Sequence, residues 1–178
     1  MDDITLLKSD HRTVEKLFKD FERAGDRAAV SKGKITQSII KELSVHAAIE
    51  EQAFYPVIQR EVQGATGSVL ESLEEHHVAK WLLSELEGMD PRDERFDAKV
   101  KVLIESVCHH VEEEEGSLFP RVRAALGRKR LGEIGLQLEA AKKRVPVRPH
   151  PRSPDTPPGN LIAGAIGSVL DKVRTGAS

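Results

Sequence analysis

The stretch His46-Ala-Ala-Ile-Glu50-Glu51-Gln-Ala-Phe-Tyr55-Pro56 returns further along the chain as His110-Val-Glu-Glu-Glu114-Glu115-Gly-Ser-Leu-Phe119-Pro120. The histidine, the paired glutamates, the aromatic residue and the proline keep the same offsets. Each copy lies within a longer run of helical period. Around the first, Ile39, Leu43, His46, Glu50, Ala53/Phe54 and Val57 recur at steps of three and four. Around the second, Val100, Leu103, Val107, His110, Glu114 and Leu118 do the same. Those steps place the histidine and the first-aligned glutamate of each copy on the apolar face of a helix, the face that folding buries.

Two further stripes carry a histidine. One is Leu7, His11, Val14, Phe18, Phe21. The other holds either His76, in phase with Val69, Leu73, Leu83 and Leu86, or His77, in phase with Leu70, Leu73 and Trp81. The first phase has more apolar members and favours His76. Asp10-His11 and Glu75-His76 also match each other, more weakly, so two helix pairs look related by a pseudo-twofold.

The periodicity predicts helices near 3–23, 32–60, 68–87 and 97–125, and a shorter one near 131–144. The breaks fall at Ala24-Gly25-Asp26, Gly64-Ala65-Thr66-Gly67 and Gly88-Met89-Asp90-Pro91, and Gly127 ends the fourth helix. Gly and Pro collect there because neither suits a helix interior. Four helices of about 20 residues joined by short loops predict an all-α fold, an antiparallel up-down-up-down four-helix bundle with a short extra helix. The bundle is expected over 1–144, with its core in 1–125. Residues 145–160 contain six of the nine prolines and read as an extended Pro-rich linker. The last stretch, 161–178, reads as an amphipathic segment docking on this chain or on a second copy, which would give a homodimer through the tail.

Composition narrows the function classes. Lys+Arg is 27 against Asp+Glu 29, a net charge of −2, without the basic excess of a dedicated nucleic-acid binder. No apolar run approaches the ~20 residues of a membrane span. The start, Met-Asp-Asp-Ile, lacks the basic and apolar regions of a secretory leader, so a cytoplasmic setting is expected. The one cysteine, Cys108, excludes an internal disulfide and reads as a structural apolar residue. Seven histidines stand beside one Tyr and one Trp.

A buried carboxylate or imidazole without a partner is costly. Glu50 and Glu114 therefore need neutralising. An internal network of His–Glu hydrogen bonds would do it, and so would bound cations, for which imidazole and carboxylate are suitable ligands. Four stripes that each supply a histidine, two of them as His-x-x-x-Glu, favour a metal site, since two-metal helix bundles draw inward ligands from all four helices. His77 and His109 read as exposed neighbours of ligands. Glu51, Glu112, Glu113 and Glu115 read as a solvated acidic face, with Glu51 and Glu115 near enough to orient a histidine. Lys80 reads as a snorkelling surface residue. Tyr55 reads as a helix-end aromatic, or as a phenol that donates a hydrogen bond or an electron beside a metal.

The paired His-x-x-x-Glu-Glu-x-x-[Leu/Phe]-[Phe/Tyr]-Pro motifs resemble the haemerythrin-like (HHE cation-binding) domain family, over roughly residues 1–125. The resemblance implies a non-haem di-iron centre: two iron ions with an oxo or hydroxo bridge. His11, His46, His76 and His110 would be terminal ligands, and Glu50 and Glu114 bridging carboxylates. Oxygen-carrying haemerythrins have a second histidine one turn after the third-helix ligand; here that place holds Lys80 or Trp81. Their fourth-helix carboxylate is an Asp five residues after its histidine, where this chain offers Glu114 at four and Glu115 at five. A coordination position is thus left open, which favours reaction with hydrogen peroxide, nitric oxide or O2 in oxidative or nitrosative stress. A catalase-like, peroxidase-like or nitric-oxide-reacting oxidoreductase is one form of that activity. O2 binding, storage or sensing without turnover, and iron storage or iron-dependent regulation, are the alternatives. Expected partners are a diatomic or peroxide ligand and no nucleic acid.

Overall fold

The computed structural model describes residues 1–25, 28–161 and 171. The protein is all-helical, with no strand among the described residues. Helix α1 spans Asp3–Arg23, opened by the Asp2 side chain, which accepts from the Thr5 amide. Such a cap satisfies an amide that has no partner within the helix. Helix α2 spans Ala29–Ile49 and runs through a π-helical turn, Glu50–Phe54, into α3, Tyr55–Glu61. Helix α4 is Thr66–Glu87. Helix α5, Phe96–Glu113, runs through a second π turn, Glu114–Leu118, into α6, Phe119–Ala125, and α7 is Arg128–Lys142.

The two π turns have a local cause. Pro56 and Pro120 each follow at the second residue of the next helix. In an unbroken α-helix a proline ring collides with the carbonyl four residues back, here Gln52 and Gly116. The backbone opens by one residue instead. The Tyr55 amide donates to the Glu50 carbonyl and the Phe119 amide to the Glu114 carbonyl, five residues apart in both cases. Such turns often sit at functional sites. Here both begin on a glutamate of the repeated motif.

Helix α1 packs on α2, α4 on α5, and α2 on α4, while α7 covers α1, α2 and the first π turn. Two apolar cores result. One gathers Leu7, Ile49, Phe54, Ile58, Phe119 and Ile134. The other gathers Val14, Phe18, Ile39, Leu43, Leu83 and Leu103. Burying each of these side chains contributes roughly 1.5–3 kcal/mol before conformational entropy is set against it. A polar layer lies between the cores, because each stripe switches from one core to the other across its histidine: Leu7 to Val14, Ile49 to Leu43, Leu73 to Leu83, Leu118 to Val107.

The first residues lie against α7 at Gly135, where a Cβ would run into the Met1 carbonyl. Residues 145–161 lie against the rest of the chain. Val145 and Asn160 are buried, and Asn160 Nδ2 donates to the carbonyls of Glu51 and Asp155 at 3.1 and 3.0 Å. Arg148 pairs with Glu87 at 3.0 Å. Of the segment expected at 161–178, only Leu161 and Asp171 are described. The amphipathic reading and the homodimer through it otherwise lie outside the described residues. Among the described residues no helix is long and apolar enough to cross a membrane.

Candidate metal centre

His11 on α1, His46 on α2, His76 on α4 and His110 on α5 meet in the polar layer, each buried. They form two pairs. His11 Nε2 lies 3.1 Å from His46 Nε2, and His76 Nε2 lies 3.2 Å from His110 Nε2. The two glutamates that start the π turns stand between the pairs. Glu50 Oε2 is 3.2 Å from His46 Nε2 and 3.3 Å from His76 Nε2. Glu114 Oε2 is 3.4 Å from His11 Nε2 and 3.6 Å from His110 Nε2. Each carboxylate thus faces one ring of each pair. Two donor sets follow, His11, His46, Glu50 and Glu114 in one and Glu50, His76 and His110 in the other. The ligand atoms of each set lie within 4.8 Å of one another.

Tyr55 closes the layer from the side of the first core. Its hydroxyl donates to Glu114 Oε1 at 2.8 Å and lies 3.4 Å from both Glu50 Oε2 and His76 Nε2.

A ring of acids runs from helix to helix around the outward nitrogens and holds three of the four. Asp10 on α1 stands beside His46 on α2, with Oδ2 at 3.8 Å from Nδ1, beyond hydrogen-bond reach. Glu51, after α2, accepts from His76 Nδ1 at 3.1 Å. Glu75 on α4 accepts from His110 Nδ1 at 2.7 Å. Glu115, after α5, accepts from His11 Nδ1 at 2.8 Å. An ionised carboxylate can only accept, so these contacts put the proton on Nδ1 and turn the Nε2 lone pair inward. Metal-binding histidines are oriented in this way.

The charges of the layer act unequally on its members. Burial pushes Glu50 well above the usual carboxylate range, and the nearby Glu114 charge adds to the effect. Burial acts on Glu114 in the same sense, but the charges of His110 and His11 and the His11 contact outweigh it and hold Glu114 down to about 2. Burial brings His46 down to about 4. On His11 burial is overcome by Glu114 and Glu50, and its basicity is raised. Burial raises the Tyr55 hydroxyl, assisted by Glu114 and Glu50, so it remains a donor. The layer's carboxyls and imidazoles are thus unequal in their affinity for protons. Three buried atoms, His46 Nδ1, Glu50 Oε1 and Glu114 Oε2, make no hydrogen bond. Two Nε2 atoms at 3.1 Å need a proton or a cation between them. The donor set fits cations that take imidazole and carboxylate together.

The structure brings together all six residues expected as ligands and places Tyr55 against them. His76 faces inward, while His77 and His109 are exposed. Three expectations are corrected. Glu51 is buried rather than on a solvated face, with its carboxylate held between His76 Nδ1 and Lys80 Nζ. Lys80 is buried rather than snorkelling, with Nζ 2.9 Å from Glu51 Oε1. Cys108 is exposed rather than an apolar core residue. Partial desolvation of its sulfur and the charges of Glu112, Glu15 and Glu22 raise its thiol, away from a reactive thiolate. The roles of Asp10 and Glu75 were not foreseen. The signal was the acid preceding His11 and His76 in the weaker half of the repeat.

An all-helical protein whose interior gathers four imidazoles and two carboxylates has the makings of a cation-binding domain. The chain belongs to the hemerythrin HHE cation-binding domain family, whose model matches residues 2–122. It is 26% identical to an uncharacterized hemerythrin-like protein of Schizosaccharomyces pombe, over 93% of this chain and 81% of that one. It is 28% identical to a DNA nickase of Nostoc, over 80% of this chain but only 40% of the nickase. A crystal structure of a hemerythrin HHE cation binding domain-containing protein from Mycobacterium kansasii has the same fold. It superposes with a TM-score of 0.69 at 19% identity, over 80% of this chain and 86% of that one.

Proposed function

We propose that this protein is a non-haem di-iron protein that reacts with a small ligand, hydrogen peroxide, nitric oxide or O2, in oxidative or nitrosative stress defence. The observation that carries the reading is a cavity of about 30 Å³ directly beside the polar layer, lined by His11, His46, His76, His110, Lys80 and Leu83. A water needs about 10–15 Å³ measured in this way, so the space suits a molecule of two or three atoms and no large organic substrate.

In this reading the helices form an antiparallel up-down-up-down four-helix bundle. His11, His46, Glu50 and Glu114 would hold one iron, and Glu50, His76 and His110 the other. Bound iron supplies the electron transfer that side chains of this kind cannot. The chain supplies the rest. The acids on Nδ1 fix the rings, and the two apolar cores keep water out. Tyr55 holds a proton at its hydroxyl against Glu114, 3.4 Å from His76 Nε2. Lys80, where oxygen carriers have a further histidine, pairs with Glu51 and leaves the position beside His76 open. The nickase relative acts on DNA through a chain of which this one spans 40%, so nucleic acid is left out of the reading.

A second reading, iron-dependent regulation, draws on a different contact. Asn160 donates to the Glu51 carbonyl, so the segment after α7 is fastened next to a proposed ligand and would respond to metal loading.

Anaerobic stopped-flow mixing of the iron-loaded protein with peroxide, nitric oxide and O2 in turn tests the proposal. Multiple-turnover consumption of peroxide or nitric oxide supports it. A stable O2 complex without turnover transfers the function to binding or sensing. No reaction with any of the three refutes small-ligand chemistry.

A further inference from the structure

Each inward histidine faces an outer carboxylate, and three of those carboxylates are met in turn by a lysine. Lys8 Nζ lies 2.9 Å from Glu115, Lys80 Nζ 2.9 Å from Glu51, and Lys142 Nζ 2.5 Å from Asp10. The fourth carboxylate breaks the pattern. Glu75 Oε2 accepts from His110 Nδ1, while its Oε1 faces His109 Nε2 at 3.8 Å. His109 Nε2 is also 3.4 Å from Glu113 Oε1, one turn further along α5. Where the other three arms end in an ammonium, this arm ends in an imidazole and a second carboxylate.

A solvated i,i+4 pair is the ordinary reading of His109 and Glu113 taken alone. Glu75 makes the difference. It comes from another helix, is half-buried and fixed by His110, and meets no lysine among the described residues. One ligand atom from each of Glu75, His109 and Glu113 lies within 4.8 Å of the other two. Ligand atoms on a tetrahedral ion with bonds of about 2.1 Å stand about 3.4 Å apart. His109 Nε2 stands 3.4 Å from Glu113 Oε1 and 3.8 Å from Glu75 Oε1, near that value. His109 is 64% exposed, so solvent water can complete the coordination.

We propose that Glu75, His109 and Glu113 form an outer site for one divalent transition-metal cation, and that this site is a gateway to the buried centre. The bound cation takes the place that a lysine fills on the other three arms. Glu75 belongs to both sites, with one oxygen toward the outer cation and the other on His110. One imidazole with two carboxylates suits Fe(II), Mn(II) or Zn(II). An Fe(II) ion held there is one side chain away from His110. None of the three outer residues is among the six that would hold iron in the buried centre.

The test uses iron-loaded full-length protein, freed of excess metal and titrated with Mn(II) under electron paramagnetic resonance. Mn(II) lies at the weak end of the divalent affinity order and does not displace the buried iron. One Mn(II) per chain is expected. In His109→Ala and Glu113→Gln, affinity for it should fall about tenfold or more, with iron content unchanged. Mixing metal-free protein with Fe(II) should show slower loading in both variants, to the same final iron content. No bound Mn(II), or equal binding in the double variant, overturns the site. Unchanged loading rates overturn the gateway. Should the wild type hold fewer than two irons while the variants still lose Mn(II), the outer site stands and the di-iron reading falls.

Discussion

Replacing Tyr55 by Phe removes one oxygen from the centre of the polar layer and leaves the ring in place. The packing of that ring, 5.7 Å from Phe54 and 5.4 Å from His76 between centroids, is kept. What is lost is the 2.8 Å bond to Glu114 Oε1. It is the shortest polar contact Glu114 makes, since its Oε2 has no hydrogen bond, and Glu114 is held ionised. Leaving a buried ionised acceptor without its donor costs about 1.5–3 kcal/mol. For a chain of 178 residues each kcal/mol moves the midpoint by about 2–4 °C. The metal-free variant should therefore melt about 3–12 °C below the wild type, followed by far-ultraviolet circular dichroism at pH 7. In the iron-loaded protein the carboxylate charge is met by metal, so the gap between variant and wild type should shrink. A metal-free midpoint within about 1 °C of wild type, or a gap that widens with iron, would refute the role given to the hydroxyl.

Further outcomes follow from other parts of the molecule. Burial pushes the Asp3 carboxyl up to about 6, with Asp2 adding to the shift against the Ile4 amide; its Oδ2 has no partner. The folded state thus binds this proton more tightly than the unfolded chain, and stability falls as pH rises from about 4 to about 6. Asp3→Asn should stabilise the protein by about 3 kcal/mol at pH 7 and hardly at all at pH 4, as measured by urea unfolding at both values. Gly135→Ala should lower the melting point by driving a Cβ into the Met1 carbonyl, and deleting Met1 and Asp2 in the same variant should recover part of the loss. Glu51→Gln should weaken iron binding about 10–100-fold in a chelator competition and destabilise the fold by leaving Lys80 unpaired. Adding Lys80→Met should restore stability without restoring affinity.

The helices were legible because their histidines and apolar residues share one period. The sequence placed α1 at 3–23, where it is observed, and the other boundaries within a few residues. Phase alone chose His76 over His77, since Val69, Leu83 and Leu86 are buried while Leu70 and Trp81 are exposed. Glu51 and Lys80 were misread for one reason. Their positions were judged on regular helices, one at a time, and each is buried through its pairing with the other. A π turn changes the phase of every residue after it, so regular helical spacing does not place Glu51, whose carboxylate meets His76 and Lys80. The ring of outer acids could not be seen from any single helix, because each acid serves a histidine on another helix. Glu51 and Glu115 read as near enough to orient a histidine, and the repeated acid–histidine dipeptides at 10–11 and 75–76 were the hint for Asp10 and Glu75.

In the proposed centre the polar layer holds two irons through His11, His46, His76, His110, Glu50 and Glu114. Iron analysis of protein loaded anaerobically with Fe(II) and passed through a desalting column tests it most directly. About two irons per chain should be retained by the wild type, and fewer than one by His46→Ala or Glu50→Ala with the helical fold intact. A natively folded wild type that keeps no iron, or variants that keep as much as the wild type, would contradict it.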